Sequence, residues 1–163
     1  MATYYGQGSG FPAAVPLEWK RAANGFVPQH AIVGGNQDGH PMLVGRMYFK
    51  GDHPGSYGSV CSIGYGGKEI VAEHDFEVLT ADDRLVEWIT RTSRALFKSA
   101  VIGGSDTDGQ DIYIARCRFK GDWVPGKAWA HKSHASFGSN GLEMSSAEDE
   151  PYQLLCFRDF SKK

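Results

Sequence analysis

The sequence is short of several things that would place it at once. It has only three cysteines, Cys61, Cys117 and Cys156, an odd number with no C-x-x-C spacing. That excludes a disulfide framework and a ribbon-type metal site, and it fits reduced core thiols in a cytoplasmic setting. No stretch approaches the roughly 18 apolar residues of a membrane helix. The polar, glycine-rich start, Met1 to Gly10, does not read as a secretion signal. Neither sign of charge dominates: 17 Lys+Arg against 19 Asp+Glu give a net charge of −2, so no overall positive field exists to hold a nucleic acid. Catalytic signatures are missing too. There is no G-x-S-x-G, H-E-x-x-H, P-loop or G-x-G-x-x-G, and hence no cofactor cradle.

Glycine is what the chain has in excess, 21 in 163 residues, nearly twice the ordinary share of about 7%. That disfavours long helices. The chain is long enough to bury a core without covalent staples.

The chain is also written twice. Leu17-Glu18-Trp19 returns as Val86-Glu87-Trp88, and Ala31 to Gly35 as Ala100 to Gly104. Val44-Gly45-Arg46 matches Ile114-Ala115-Arg116, Pro54-Gly55 matches Pro125-Gly126, and Ser59 to Glu69 matches Ser133 to Glu143. Phe76 to Leu79 closes the first copy as Tyr152 to Leu155 closes the second. The offset drifts from 69 to 76 residues, which places the insertions in loops. The organisation expected is a single domain over 1–163: a glycine-rich lead (1–15), repeat one (16–85) and repeat two (86–160).

Within each copy, Pro41 to Phe49 and Asp111 to Phe119 read as strands with one buried face. Asp38-Gly39 and Asp108-Gly109 before them, and Lys-Gly-Asp after them, read as turns. Asp82 to Ala95 offers the best helical pattern, but Thr90, Thr92 and Ser93 argue for strand there, as in its partner at Leu17 to Lys20. The expected fold is all-β: two tandem repeats of mainly antiparallel strands packed with internal pseudo-twofold symmetry.

The chemistry on offer points to binding more than to catalysis. His131, His134 and Glu143 are the nearest approach to a metal set, but i and i+3 on a strand face opposite ways, so no metal is expected. Arg46 and Arg116, repeated in both copies, are expected to form structural ion pairs with Glu69 and Glu143. In copy two, Asp106 and Asp108 precede a strand, Asp122 and Trp123 follow it, and Lys127 comes after Pro125-Gly126. A hairpin that returns on itself can bring Asp106 to Lys127. A carboxylate accepting from two hydroxyls, an ammonium donating to them and an aromatic over a C–H face form a set suited to the vicinal diol of a sugar. The same aspartates also suit ordinary turns, where Asp bonds its own backbone, and both readings stand.

Trp, Ala-x-x-Gly-Gly with Asp-Gly, a strand ending in Arg, Gly-Asp, Pro-Gly-Lys, Gly-Gly-Lys-Glu and Glu-Val-Leu, in that order, resemble the DM-nine repeat family. Two tandem copies cover nearly the whole chain. The resemblance implies a small antiparallel β protein, dimeric, that binds mannose or mannose-bearing glycans in microbial recognition or defence. It implies no cofactor and no enzymatic activity. It carries the essential sugar-binding pair over to Asp106 and Lys127, with Asp122 as a helper. In repeat one the counterparts are Asn36, Asp38, Asp52 and Ser56, and with Ser56 in place of the lysine that site is expected to be weak. The repeats also occur beside the pore-forming module of natterin-like proteins, which this stretch does not contain. The expectation is a cytoplasmic lectin, released, if at all, by a signal-independent route. The alternative is a non-catalytic interaction or stress-response module that binds no sugar.

Overall fold

The turn and strand signals translate into fourteen strands among the described residues. The computed structural model describes residues 15–159, so most of the glycine-rich lead lies outside the described residues. Repeat one forms β1 (Glu18–Ala22), β2 (Val33–Gln37), β3 (His40–Tyr48), β4 (Asp52–Tyr57), β5 (Cys61–Tyr65), β6 (Lys68–Ala72) and β7 (Phe76–Thr80). Repeat two forms β8 (Val86–Thr90), β9 (Ile102–Ser105), β10 (Asp111–Phe119), β11 (Asp122–Ala128), β12 (Ser136–Ser139), β13 (Leu142–Ser145) and β14 (Gln153–Phe157). All the pairings are antiparallel. The two expected strands at Trp19 and Trp88 are β1 and β8. A 3-10 turn, Asp83–Leu85, precedes β8 where the helical pattern began, and a second 3-10 segment, Arg94–Lys98, overlaps its end.

The order of neighbours is β1-β7-β3-β4-β5-β6-β13-β12-β11-β10-β14-β8, with β2 on β3 and β9 on β10 as side branches. Read inward from either end, each copy contributes its first, seventh, third, fourth, fifth and sixth strands. The two halves join where Leu142 of β13 pairs with Lys68 of β6. Around that junction each copy's glutamate reaches into the other. The Glu69 carboxylate accepts from the Gly141 amide at 2.9 Å, and the Glu143 carboxylate from the Gly67 amide at 3.0 Å.

Turn chemistry fixes the hairpins. Asp38-Gly39 joins β2 to β3 with both residues at positive φ, 51° and 83°, the geometry of a two-residue loop that matches strand twist. In repeat two the loop between β9 and β10 is longer, from Asp106 to Gln110. There the Asp106 carboxylate replaces the tight turn by accepting from the Asp108 and Gln110 amides at 2.9 and 3.0 Å.

Three apolar clusters fill the interior. Leu43, Tyr57, Ile63 and Phe76 belong to repeat one, and Phe97, Phe137, Tyr152 and Leu154 to repeat two. The third is shared, with Ile32, Val44 and Leu79 of one copy against Val101, Ile114 and Leu155 of the other. Each large side chain so buried contributes about 1.5–3 kcal/mol. The three cysteines are buried and unpaired, core residues as the sequence suggested. No helix among the described residues is long and apolar enough to cross a membrane.

The Gly-Gly steps explain how the copies nest. A Cβ on Gly35 would sit 1.8 Å from the Trp123 carbonyl oxygen, and one on Gly104 would sit 2.1 Å from that of Asp52. Only glycine lets β2 of one copy press on β11 of the other, and β9 on β4. Arg46 Nη1 then donates to the Gly103 carbonyl at 2.9 Å, and Arg116 Nη1 to that of Gly34 at 3.3 Å. The expected ion pairs of these arginines with Glu69 and Glu143 do not form. Arg46 Nε instead donates to Glu77 at 2.7 Å and Arg116 Nε to Gln153 at 2.8 Å, because strand register sets Glu77 opposite Arg46 and Gln153 opposite Arg116.

Candidate functional site

Crossing the copies in this way creates two depressions, each walled by both. The first, about 240 Å3, holds Asp106 and Lys127 together, as the sequence suggested, with Trp129 and Glu143 of repeat two and His53 and Tyr65 of repeat one. Lys127 lies on β11 between Ile114 and Ser136 of the adjoining strands. Asp106 begins the loop after β9, where its backbone bridges Gly51 of repeat one.

Lys127 is the unusual member. Its side chain is 1% exposed, and burial holds its ammonium down at about 8, against the pull of Glu143 and Asp106 and with the push of Lys132. Among the described residues it enters no ion pair within 4.0 Å; those formed are Arg21–Asp75, Arg46–Glu77, Arg84–Asp82 and Arg158–Glu87. Its Nζ instead donates to His53 Nδ1 at 2.9 Å. It also lies 5.2 Å from the ring centre of Trp129 and 5.4 Å from that of Tyr65, close enough for cation–π attraction. Two of its three N–H donors have no partner among the described residues. The second oxygens of Asp106 and Glu143 likewise accept nothing there, since Asp106 spends Oδ1 on its own loop and Glu143 spends Oε1 on Gly67. The depression thus offers an ammonium donor and two carboxylate acceptors. That is a complement to adjacent hydroxyls.

Asp122 is not part of this set. It stands five residues before Lys127 on the same strand, about 16 Å away at the usual rise, and lines the second depression, of about 380 Å3, with Asn36, Asp38, Ser56 and Glu69. Asp52 changes place in the opposite sense. Its electrostatic pull on His53 and its carbonyl against Gly104 put it beside the Asp106 depression. Of the residues expected in the repeat-one site, Asn36, Asp38 and Ser56 are therefore brought together. Trp123 too lies elsewhere, its ring stacked by Arg116 and Arg118, and the site's aromatics are Trp129 and Tyr65. His134 lines a separate depression with Arg91 and Tyr152. No group of three metal-ligating side chains occurs among the described residues.

In the second depression the lysine is Ser56, and strand register shows what replaced the rest. His53 pairs with Met47 as Val124 pairs with Cys117, so Val124 occupies the position of His53. Gly58 stands for Trp129, and Ser139 for Tyr65. The polar rim survives and Phe119 and Lys120 line the depression, but the counterparts of the Lys127 ammonium, the His53 imidazole and the Trp129 and Tyr65 rings are gone.

A family model for the DM9 repeat matches residues 36–146. No curated protein matches the chain. Among solved structures, the crystal structure of the nematode sperm cell motility protein MFP2B is similar, with a TM-score of 0.68 at 16% identity. The match covers 91% of this chain and 48% of that one. The chain thus spans about half the length of that protein, and the likeness is one of fold.

Proposed function

The chain belongs to the DM9 repeat family, and from that premise we propose that it is a carbohydrate-binding protein that recognises mannose or mannose-bearing glycans. The observation that supports this reading is the meeting of Asp106, from the loop after β9, and Lys127, from β11, in one polar depression beside Trp129 and Tyr65. A carboxylate and an ammonium with unspent hydrogen-bonding capacity can clasp two neighbouring hydroxyls. The role is binding without turnover. A single shallow site of this kind gives millimolar affinity, about −4 kcal/mol, so the reading includes a homodimer that presents two sites to one glycan surface. It places the protein in the cytoplasm, which the three unpaired thiols support, with recognition of microbes as its role.

Titration calorimetry with mannose, galactose and a mannose-rich oligosaccharide, run beside Lys127→Ala, tests the proposal. Heat with mannose that vanishes in the variant is expected. A folded wild-type protein that takes up none of the three sugars would sink the lectin reading and favour an interaction module, a role in keeping with the nematode protein of similar fold, which serves sperm cell motility.

A further inference from the structure

A buried ammonium is tolerated only where an acceptor meets it, and Lys127 finds its acceptor in the other copy. His53 lies on β4 of repeat one, 1% exposed. Its Nε2 sits 3.2 Å from the Lys50 carbonyl oxygen, which can only accept, so the ring proton belongs on Nε2. That leaves the Nδ1 lone pair facing Lys127 Nζ at 2.9 Å. The same stretch of chain holds the other half of the pair. Gly51, next to Lys50, bridges the Asp106 backbone, and a Cβ there would come within 2.5 Å of the Ser105 carbonyl oxygen. One turn of repeat one thus sets both Asp106 and Lys127 of repeat two.

We infer that His53 is a positioning residue of the glycan site: its Nδ1 aims the Lys127 ammonium at the ligand, and a proton on that nitrogen releases it. The inference rests on the carbohydrate reading. The groups facing His53 are Lys127 from β11, Asp106 from the loop after β9, Asp52 from its own strand, and the Tyr65 ring, packed edge-on at 5.3 Å. Glu143 and Lys132 act on its partner. Burial first, and the Lys127 charge second, lower the imidazole below its usual range, against the pull of Asp106 and Asp52. The ring is therefore neutral at neutral pH, as the hydrogen bond requires.

Asparagine and phenylalanine at position 53 separate aiming from packing. The Asn Oδ1 can take the place of Nδ1 and does not titrate, while Phe fills the space and accepts nothing. Calorimetry with mannose at pH 7.5 is expected to show His53→Phe weakened about tenfold or more, and His53→Asn within about threefold of wild type. As the pH is lowered from 7.5 until the His53 ring protonates, the wild type is expected to lose affinity more steeply than His53→Asn. Equal affinities for the Phe variant and wild type, or equal pH slopes for the Asn variant and wild type, would overturn the inference. A sugar-free measurement stands beside it: NMR titration of the His53 ring, whose pKa is expected to rise in Lys127→Met. An unmoved ring titration would refute the coupling whatever the sugars do. Failure of wild type to bind mannose, by contrast, overturns the carbohydrate reading and with it the role of His53 at that site.

Discussion

Lys127 Nζ rests 2.9 Å from His53 Nδ1, and among the described residues no carboxylate closes on it to ion-pair distance. An ammonium kept this way favours binding and opposes folding. Lys127→Met removes the desolvation cost and leaves one Nδ1 without its donor, so a net gain of about 1–2 kcal/mol in stability is expected together with loss of sugar binding. The pH dependence follows from a folded-state pKa of about 8 against the ordinary 10.5. Below pH 8 the lysine is charged in both states and its cost is full. From about 8 to 10.5 the folded chain sheds the proton first, so wild type gains stability with rising pH. Urea unfolding of both proteins at pH 7 and pH 10 checks this: the advantage of the Met variant should shrink at the higher pH, and a constant gap would contradict it.

The nesting glycines should tolerate no methyl group. Gly35→Ala and Gly104→Ala would drive a Cβ to 1.8 and 2.1 Å from carbonyl oxygens of the opposite copy. Each is expected to cost about 2–3 kcal/mol or more, because backbone must move. Gly58→Ala meets only the Met42 sulfur at 3.0 Å, the flexible part of a side chain, and should cost below about 1 kcal/mol. Thermal melts of the three variants rank them, and a mild effect at Gly35 or Gly104 would refute the close packing.

The thiols should be inert while the chain is folded. Burial pushes Cys61 and Cys117 up to about 12 and raises Cys156 as well, and only thiolate reacts. An aromatic disulfide reagent at pH 8 is expected to label none of the three in buffer and all three in denaturant. Rapid labelling of the native protein would contradict their burial.

Repairing the second depression should need more than its lysine. Ser56 is 3% exposed, and Val124, in the place of His53, offers no acceptor. Ser56→Lys alone is expected to lose about 2 kcal/mol or more without gaining sugar binding. Adding Val124→His should recover part of that loss. Melting temperatures of the single and double variants decide it, and recovery without the histidine would count against the pairing.

Hairpins and the Asp106–Lys127 meeting are legible in the sequence because turn residues and strand alternation are local signals. Asp38-Gly39 and Pro125-Gly126 carry them within a few residues. What is not legible is which copy faces which. Nothing in the spacing of His53 or Tyr65 says that they serve a site begun at Asp106. Asp122 is misplaced by sequence reasoning because proximity to Lys127 along the chain says nothing of the length of strand between them. The arginines mislead for a related reason: nothing along the chain says that β7 sets Glu77 opposite Arg46 and that β14 sets Gln153 opposite Arg116. The one available hint is the pair of glycines in each copy, small residues awaiting a close neighbour.

Because each Gly-Gly step seats against the other copy, a change in one half is felt in the other. Repeat one supplies His53 to the depression that carries the lysine of repeat two, and only a few residues further on it supplies Ser56 and Gly58 to the other. The structural unit of this chain is therefore the depression and not the repeat, and the boundary between the copies runs through the middle of each.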